Sequence, residues 1–117
     1  MIDRMLAEAR SRIVRYTPAE AVAADGILLV DVRSTEDRRE RGVIPGSVHV
    51  PRSVLEWRAD PTSSNHDPAL AGRKLVIVCA QGYSSSLAAA TLVELGVDAG
   101  DLDGGFEAWV AAGLPVE

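Results

Sequence analysis

Two short runs of aliphatic residues constrain the fold of this 117-residue chain more than any other feature. The first run is Ile27 to Val30 and the second is Leu75 to Val78, and turn-forming residues flank both. Runs without a polar position are typical of strands buried on both faces, as in a parallel sheet. The two runs therefore predict that the core is built around a sheet with helices on each side.

The remaining segments alternate between weaker strands and helices. Thr17-Pro18-Ala19-Glu20 is a capping box with proline at the first helical position, so it predicts a helix start. A further helix is predicted by the apolar stripe from Leu87 to Leu95, and another over Phe106 to Ala112. The weaker strands are predicted at three places: residues 12–16, 48–50 and 99–102. This alternation predicts an α/β fold with a mostly parallel central sheet of about five strands, flanked by helices on both faces.

A short amphipathic helix is predicted at the N-terminus, over residues 1–11. Its apolar positions recur at the spacing of one helix face: Ile2, Met5, Leu6 and Ala9. We expect this face to lie on the rest of the domain, whose core spans residues 12–114. The whole chain, 1–117, is interpreted as a single domain.

Composition excludes several classes of function. The formal net charge is −5, which argues against general nucleic-acid binding. A single cysteine excludes an internal disulfide, and no run of 18 apolar residues predicts a membrane span. The first residues lack the apolar centre of a signal peptide, so a cytoplasmic location is expected. We predict no nucleic-acid partner and no membrane contact, and the oligomeric state stays open.

The chemistry of the chain is expected at Cys79, which directly follows the second aliphatic run. Ligands of open α/β sheets bind at the carboxyl ends of strands. The loop from Ala80 to Ser85 leads into a helix, whose unpaired N–H groups favour an anion. A thiol placed there is favoured as the nucleophilic thiolate. The alternative is that Cys79 is a small apolar residue that closes a core strand.

Five segments in order resemble the rhodanese family. They are Asp31-Val32-Arg33, Gly42 to Ser47 (GVIPGS), Val48-His49-Val50-Pro51, Cys79 to Ser86 (CAQGYSSS) and Gly104 to Trp109 (GGFEAW). Together they extend over roughly residues 17–114. The resemblance implies a rhodanese-like fold and a sulfurtransferase that moves a sulfane sulfur through a persulfide on Cys79.

The resemblance also assigns residues and partners. Cys79 is the expected catalytic residue, with Asp31 and Arg33 as supporting residues. The expected substrate-binding residues form the loop: Ala80, Gln81, Gly82, Tyr83, Ser84 and Ser85. The expected partners are a small-molecule or protein sulfur donor, such as thiosulfate, and a thiol or cyanide acceptor. Neither a cofactor nor a metal is expected.

The chain departs from the family pattern at two positions that concern the site. Val43 replaces the usual histidine, and the loop contains neither arginine nor lysine. Some family sulfurtransferases place a cation in this loop, whereas others use backbone amides and serine, as this chain does. Arg38 and Arg39 are the candidates considered for a supporting cation, with no assignment to either.

Two alternatives to the sulfurtransferase stay open. The chain could be a binding module on the same fold, non-catalytic or redox-sensing. A cysteine phosphatase or arsenate reductase is the second alternative, but it needs arginine six residues after the cysteine to clamp an oxyanion. That position is Ser85.

Overall fold

A five-stranded, fully parallel sheet forms the centre of the protein. The computed structural model describes all residues from Met1 to Glu117. The strands are β1 (Val14–Tyr16), β2 (Ile27–Asp31), β3 (Val48–His49), β4 (Lys74–Val78) and β5 (Ala99–Leu102). Their order in the sheet is β1-β5-β4-β2-β3, with every neighbouring pair parallel. The predicted α/β fold with about five mostly parallel strands is confirmed.

Six helices connect or precede the strands. They are α1 (Ile2–Ser11), α2 (Pro18–Ala23), α3 (Thr35–Arg41), α4 (Leu55–Ala59, preceded by a 3₁₀ turn at Arg52–Val54), α5 (Ser84–Glu94) and α6 (Gly105–Ala111). The predicted capping box is present at α2, where the Thr17 hydroxyl accepts the Glu20 amide and the Glu20 carboxylate accepts the Thr17 amide. Local capping chemistry therefore starts this helix where the sequence predicts.

The central strand β4 contributes side chains to both faces of the sheet. Leu75 and Ile77 pack on one side among residues of α4 and α5, whereas Val76 and Val78 pack on the other side against α2 and α6. All four are fully buried. From Leu75 to Val78 the strand is covered on both faces, which explains its aliphatic sequence there, whereas Lys74 at the start of the strand is exposed.

The N-terminal helix α1 corrects one expectation. It packs chiefly against α5, one layer away from the sheet. Of its apolar stripe only Ala9 is buried, while Ile2 is 61% and Met5 49% exposed. The prediction that the whole stripe faces the domain is wrong for these two residues, because α5 already covers this side of the sheet. No helix in the protein is both long and apolar enough to cross a membrane.

Candidate active site

Cys79 lies at the carboxyl end of β4, between the central strand and the start of α5. Its residue surface is 7% exposed. Because β4 is flanked by β5 and β2, this position is at the middle of the carboxyl edge of the sheet. The loop from Ala80 to Tyr83 turns the chain into α5, as the sequence predicts.

The loop backbone surrounds the sulfur with hydrogen-bond donors. The amides of Gly82 and Ser85 donate to Cys79 Sγ at 3.1 and 3.4 Å. The other amides of the loop find no acceptor within the protein: Ala80, Gln81, Tyr83 and Ser84. Unpaired amides at a helix start favour a bound anion. The loop thus has two donors for the sulfur and four further donors for a ligand.

The electrostatic environment favours the thiolate of Cys79. Burial raises the pKa of this thiol, but the nearby hydroxyls of Ser85 and Ser84 and the amides of Ser85 and Gly82 lower it by more, so the pKa is lowered overall. The Ser85 hydroxyl has one proton, which it donates to Asp101 at 2.8 Å. We therefore assign the main stabilisation of the sulfur to the two amides.

Glycines hold this loop against the start of α6. Gly82 has φ +84°, and a Cβ atom there would meet the Gly104 amide. A Cβ atom on Gly105 would lie 2.5 Å from the carbonyl oxygen of Cys79. At the same place the Phe106 amide donates to that carbonyl at 2.8 Å. The Gly-Gly-Phe segment, which the sequence shares with the family pattern, therefore fixes the backbone at Cys79.

A buried carboxylate, Asp101, organises the far side of the loop. It is 0% exposed and lies in β5, next to β4. The hydroxyls of Ser85 and Ser86 donate to its Oδ2 at 2.8 and 2.7 Å. Arg15 from β1 donates to its Oδ1 at 2.9 Å. Every buried polar side-chain atom of this cluster has a partner, as burial of a charge requires.

Two arginines reach the loop from outside it. Arg10 Nη2 and Arg15 Nη2 donate to the Gly82 carbonyl oxygen at 2.8 and 3.0 Å. The cations considered from the sequence lie elsewhere. Arg38 donates to Asp31 at 3.1 Å, and the exposed Arg39 makes no side-chain hydrogen bond or ion pair. The cations in contact with the loop are therefore Arg10 and Arg15, not Arg38 or Arg39.

The expected supporting residues, Asp31 and Arg33, form a buried ion pair at the end of β2. Arg33 Nη2 donates to Asp31 Oδ2 at 2.9 Å and to the Gly42 carbonyl at 2.7 Å. Its guanidinium also lies 3.7 Å from the Phe106 ring centroid. Arg33 makes no hydrogen bond to residues 79–85, so it ties the β2 end, α3 and α6 together rather than reaching the sulfur.

The sequence analysis did not identify Asp101, Ser86, Arg10 or Arg15. An acidic residue within the apolar segment Ala99–Leu102 was the available signal for Asp101, because a buried carboxylate requires partners. No local signal distinguishes Arg10 and Arg15 from other surface arginines. Their contacts to Gly82 cross 72 and 67 positions of sequence.

Comparison with known proteins agrees with this geometry. The family model of the rhodanese-like domain matches residues 18–112. A thiosulfate sulfurtransferase, GlpE, of Pseudomonas savastanoi pv. phaseolicola is 39% identical over 95 residues, which are 80% of this chain and 81% of that protein.

Two solved structures are also similar. One is a protein of unknown function from Rhodopseudomonas palustris, called a possible tyrosine phosphatase, with a TM-score of 0.93 and 38% identity over 100% of this chain and 94% of that one. The other is a rhodanese-related protein from Thermoplasma volcanium, with a TM-score of 0.73 and 25% identity over 89% and 98% of the two chains.

The fold and the loop define an α/β domain with a thiol at the carboxyl end of its central strand. With the match over residues 18–112, the chain belongs to the rhodanese-like domain family. Within that family, its likeness to the curated GlpE proteins makes it a rhodanese-like sulfurtransferase.

Proposed function

We propose that Cys79 transfers a sulfane sulfur from an anionic donor of the thiosulfate type to a thiol or cyanide, through a persulfide. The observation that carries the proposal is the loop backbone. Two amides hold the sulfur of Cys79, and four more have no acceptor within the protein. Those four are suited to the negative charge of a donor or of the persulfide.

The first half-reaction forms one S–S bond and breaks another. The Cys79 thiolate attacks the outer sulfur of thiosulfate, the Cys79 persulfide anion forms, and sulfite leaves with the electron pair of the broken bond. Charge balances, because a monoanion and a dianion give a monoanion and a dianion. The depressed pKa of Cys79 provides the thiolate without a separate general base.

The second half-reaction returns the enzyme to its starting state. An acceptor thiolate or cyanide attacks the terminal sulfur of the persulfide, and the Cys79 thiolate is the leaving group. The product is an acceptor persulfide or thiocyanate. The amides of Gly82 and Ser85 stabilise the departing thiolate as they stabilise the resting one.

Mass spectrometry of the intact protein tests the proposal. After incubation with thiosulfate and removal of excess donor, we expect a mass gain of one sulfur atom that cyanide removes with release of thiocyanate. Cys79→Ser is the matched control, because Cys79 is the only cysteine. An unchanged mass after exposure to thiosulfate and to a mercaptopyruvate-type donor would leave the binding module as the better hypothesis.

Phosphate ester hydrolysis is the alternative that the name of the Rhodopseudomonas relative raises. The residue six positions after Cys79 is Ser85, and its hydroxyl donates to Asp101. Arg10 and Arg15 bind the carbonyl side of the loop, not its free amides. With no guanidinium placed to clamp a phosphate, we expect no hydrolysis of para-nitrophenyl phosphate above the Cys79→Ser background.

The partners and location follow from the same proposal. The substrates are a sulfur donor and a thiol acceptor, each a small molecule or a protein. Asp31 and Arg33 support the fold next to the site. A cytoplasmic location, one domain over residues 1–117, and the absence of nucleic-acid and membrane partners stay predictions.

A further inference from the structure

The Gly82 carbonyl is held by two guanidinium groups, which come from elements outside the loop. Arg10 is in α1, which precedes the segment that matches the family model, and Arg15 is in β1, which also precedes it. Both donate to this one oxygen, at 2.8 and 3.0 Å. A carbonyl that accepts two cationic donors is strongly polarised.

The two arginines differ in how their charges are balanced. Arg15 forms ion pairs with Asp101 at 2.9 Å and with Asp103 at 3.1 Å. Arg10 forms no ion pair. Its other contacts are the Ser86 hydroxyl at 3.1 Å and the Tyr83 ring, whose centroid is 5.5 Å away. Arg10 is therefore the cation at this loop whose charge no carboxylate neutralises.

The geometry of the Gly82–Tyr83 peptide connects the polarised carbonyl to an N–H group on the opposite side of the peptide. The chain contains no cis peptide bond, so the Tyr83 N–H points opposite to the Gly82 carbonyl. It therefore points away from both guanidinium groups, and it has no acceptor within the protein. A cation at the carbonyl makes the N–H of the same peptide a stronger donor, since both groups share one amide dipole.

We propose that Arg10 is a positioning residue for sulfur transfer. It supplies the positive charge that the cysteine loop lacks, and it does so by polarising the Gly82–Tyr83 peptide toward an anionic sulfur donor. This inference rests on the proposed function and adds the origin of the charge at its site. α1 thereby becomes part of the catalytic apparatus.

The electrostatics of Arg15 support this arrangement. Burial lowers the pKa of Arg15. Its hydrogen bond and ion pair with Asp101, together with the charges of Asp103 and the Cys79 thiolate, raise this pKa by more, so the pKa is raised overall. The thiolate thus acts on a guanidinium behind the loop. Arg10 donates to the same Gly82 oxygen as Arg15, so its charge also lies behind the loop.

The test compares Arg10→Gln and Arg10→Lys with Arg4→Gln, which removes a charge from an exposed position of the same helix. One measurement is the pH dependence of Cys79 alkylation by iodoacetamide. The other is the steady-state kinetics with thiosulfate as donor and cyanide as acceptor. A thermal melt of each variant reports folding, and Arg10→Met replaces Arg10→Gln should the latter not fold.

We expect Arg10→Gln to move the alkylation inflection to higher pH and to lower kcat/KM for thiosulfate about tenfold or more, mainly through KM. Arg10→Lys should recover most of both effects, and Arg4→Gln should match the wild type. A folded Arg10→Gln protein that behaves like Arg4→Gln in both measurements overturns the proposal, as does an Arg10→Lys protein no better than Arg10→Gln. If the wild type takes no sulfur from any donor, the proposed function fails, whereas the alkylation profile still decides the role of Arg10.

Discussion

Gly82 lies so close to Gly104 that a Cβ atom on the first would be 2.7 Å from the amide nitrogen of the second. The cysteine loop therefore contacts the backbone at the start of α6 in a way that no side chain at position 82 permits without movement of the backbone. Because the Gly82 amide also donates to Cys79 Sγ, this contact holds that amide in place beside the sulfur.

Gly82→Ala should reduce sulfur transfer about 100-fold, comparable to the loss of one oxyanion donor. The reason is displacement of the Gly82 amide from the sulfur. Gly72→Ala is the matched control for backbone strain, since Gly72 has φ +71° but no atom within 4 Å of the added carbon. It should lose only about 1–2 kcal/mol of unfolding free energy and keep its activity.

Gln81→Ala tests whether a side chain of the loop, rather than its backbone amides, binds the donor. The Gln81 side chain is exposed and makes no hydrogen bond within the protein, so sulfur transfer should stay within about twofold of the wild type. Steady-state kinetics on the three variants gives the ranking. A larger loss for Gln81→Ala than for Gly82→Ala would show that this side chain, not the amide geometry, binds the donor.

The alkylation rate of Cys79 should inflect below the free-thiol pKa of about 8.5. The folded protein lowers this pKa, so the thiolate persists at pH values where a free thiol is protonated. The rate should therefore be constant above the inflection and fall as the pH drops through it. Stopped-flow alkylation with iodoacetamide measures the profile. Slow alkylation with an inflection at or above the free-thiol value would identify Cys79 as a core residue.

Asp101→Asn should lower the unfolding free energy by about 3–5 kcal/mol, because it leaves the half-buried Arg15 without its main partner. It should also impair sulfur transfer through the two serines. Asp103→Asn is the control, since Asp103 also pairs with Arg15 but is 54% exposed. Its effect should stay within about 0.5 kcal/mol. Urea denaturation compares the two, and equal losses would contradict the organising role of Asp101.

Arg33→Met should separate stability from catalysis. The variant removes the main cationic partner of the buried Asp31 carboxylate. The unfolding free energy should therefore fall by about 3–5 kcal/mol. Activity per folded molecule should stay within about twofold, because Arg33 makes no hydrogen bond to the loop. Kinetics at a temperature where the variant is fully folded checks this, and a tenfold loss there would place Arg33 in the mechanism.

The fold was predictable where the determining interactions are local or periodic. The capping box at Thr17 and the apolar strand from Leu75 to Val78 act within a few residues, and both occur as predicted. The position of Cys79 followed from the same strand. The exposed stripe of α1 was not predictable, because it depends on which surface α5 leaves available.

The charge at the loop was not predictable for a related reason. Arg38 was a candidate from the sequence for a cation at this loop, but it pairs with Asp31. The guanidinium groups that do reach Gly82 belong to the first 15 residues of the chain. Contacts over such separations depend on how complete helices and strands pack against each other. The periodicity of a single sequence does not predict that packing.

The segment from Cys79 to Ser85 is not a portable module. The amides of Phe106 and Glu107 hold its first carbonyls, and cations from α1 and β1 hold its middle. Grafting these seven residues onto another α/β scaffold would transfer the thiol without the parts that shape its loop. An engineer who wants the chemistry must transplant three distant pieces of the chain together, and natural variation in any one of them should be matched by change in the others.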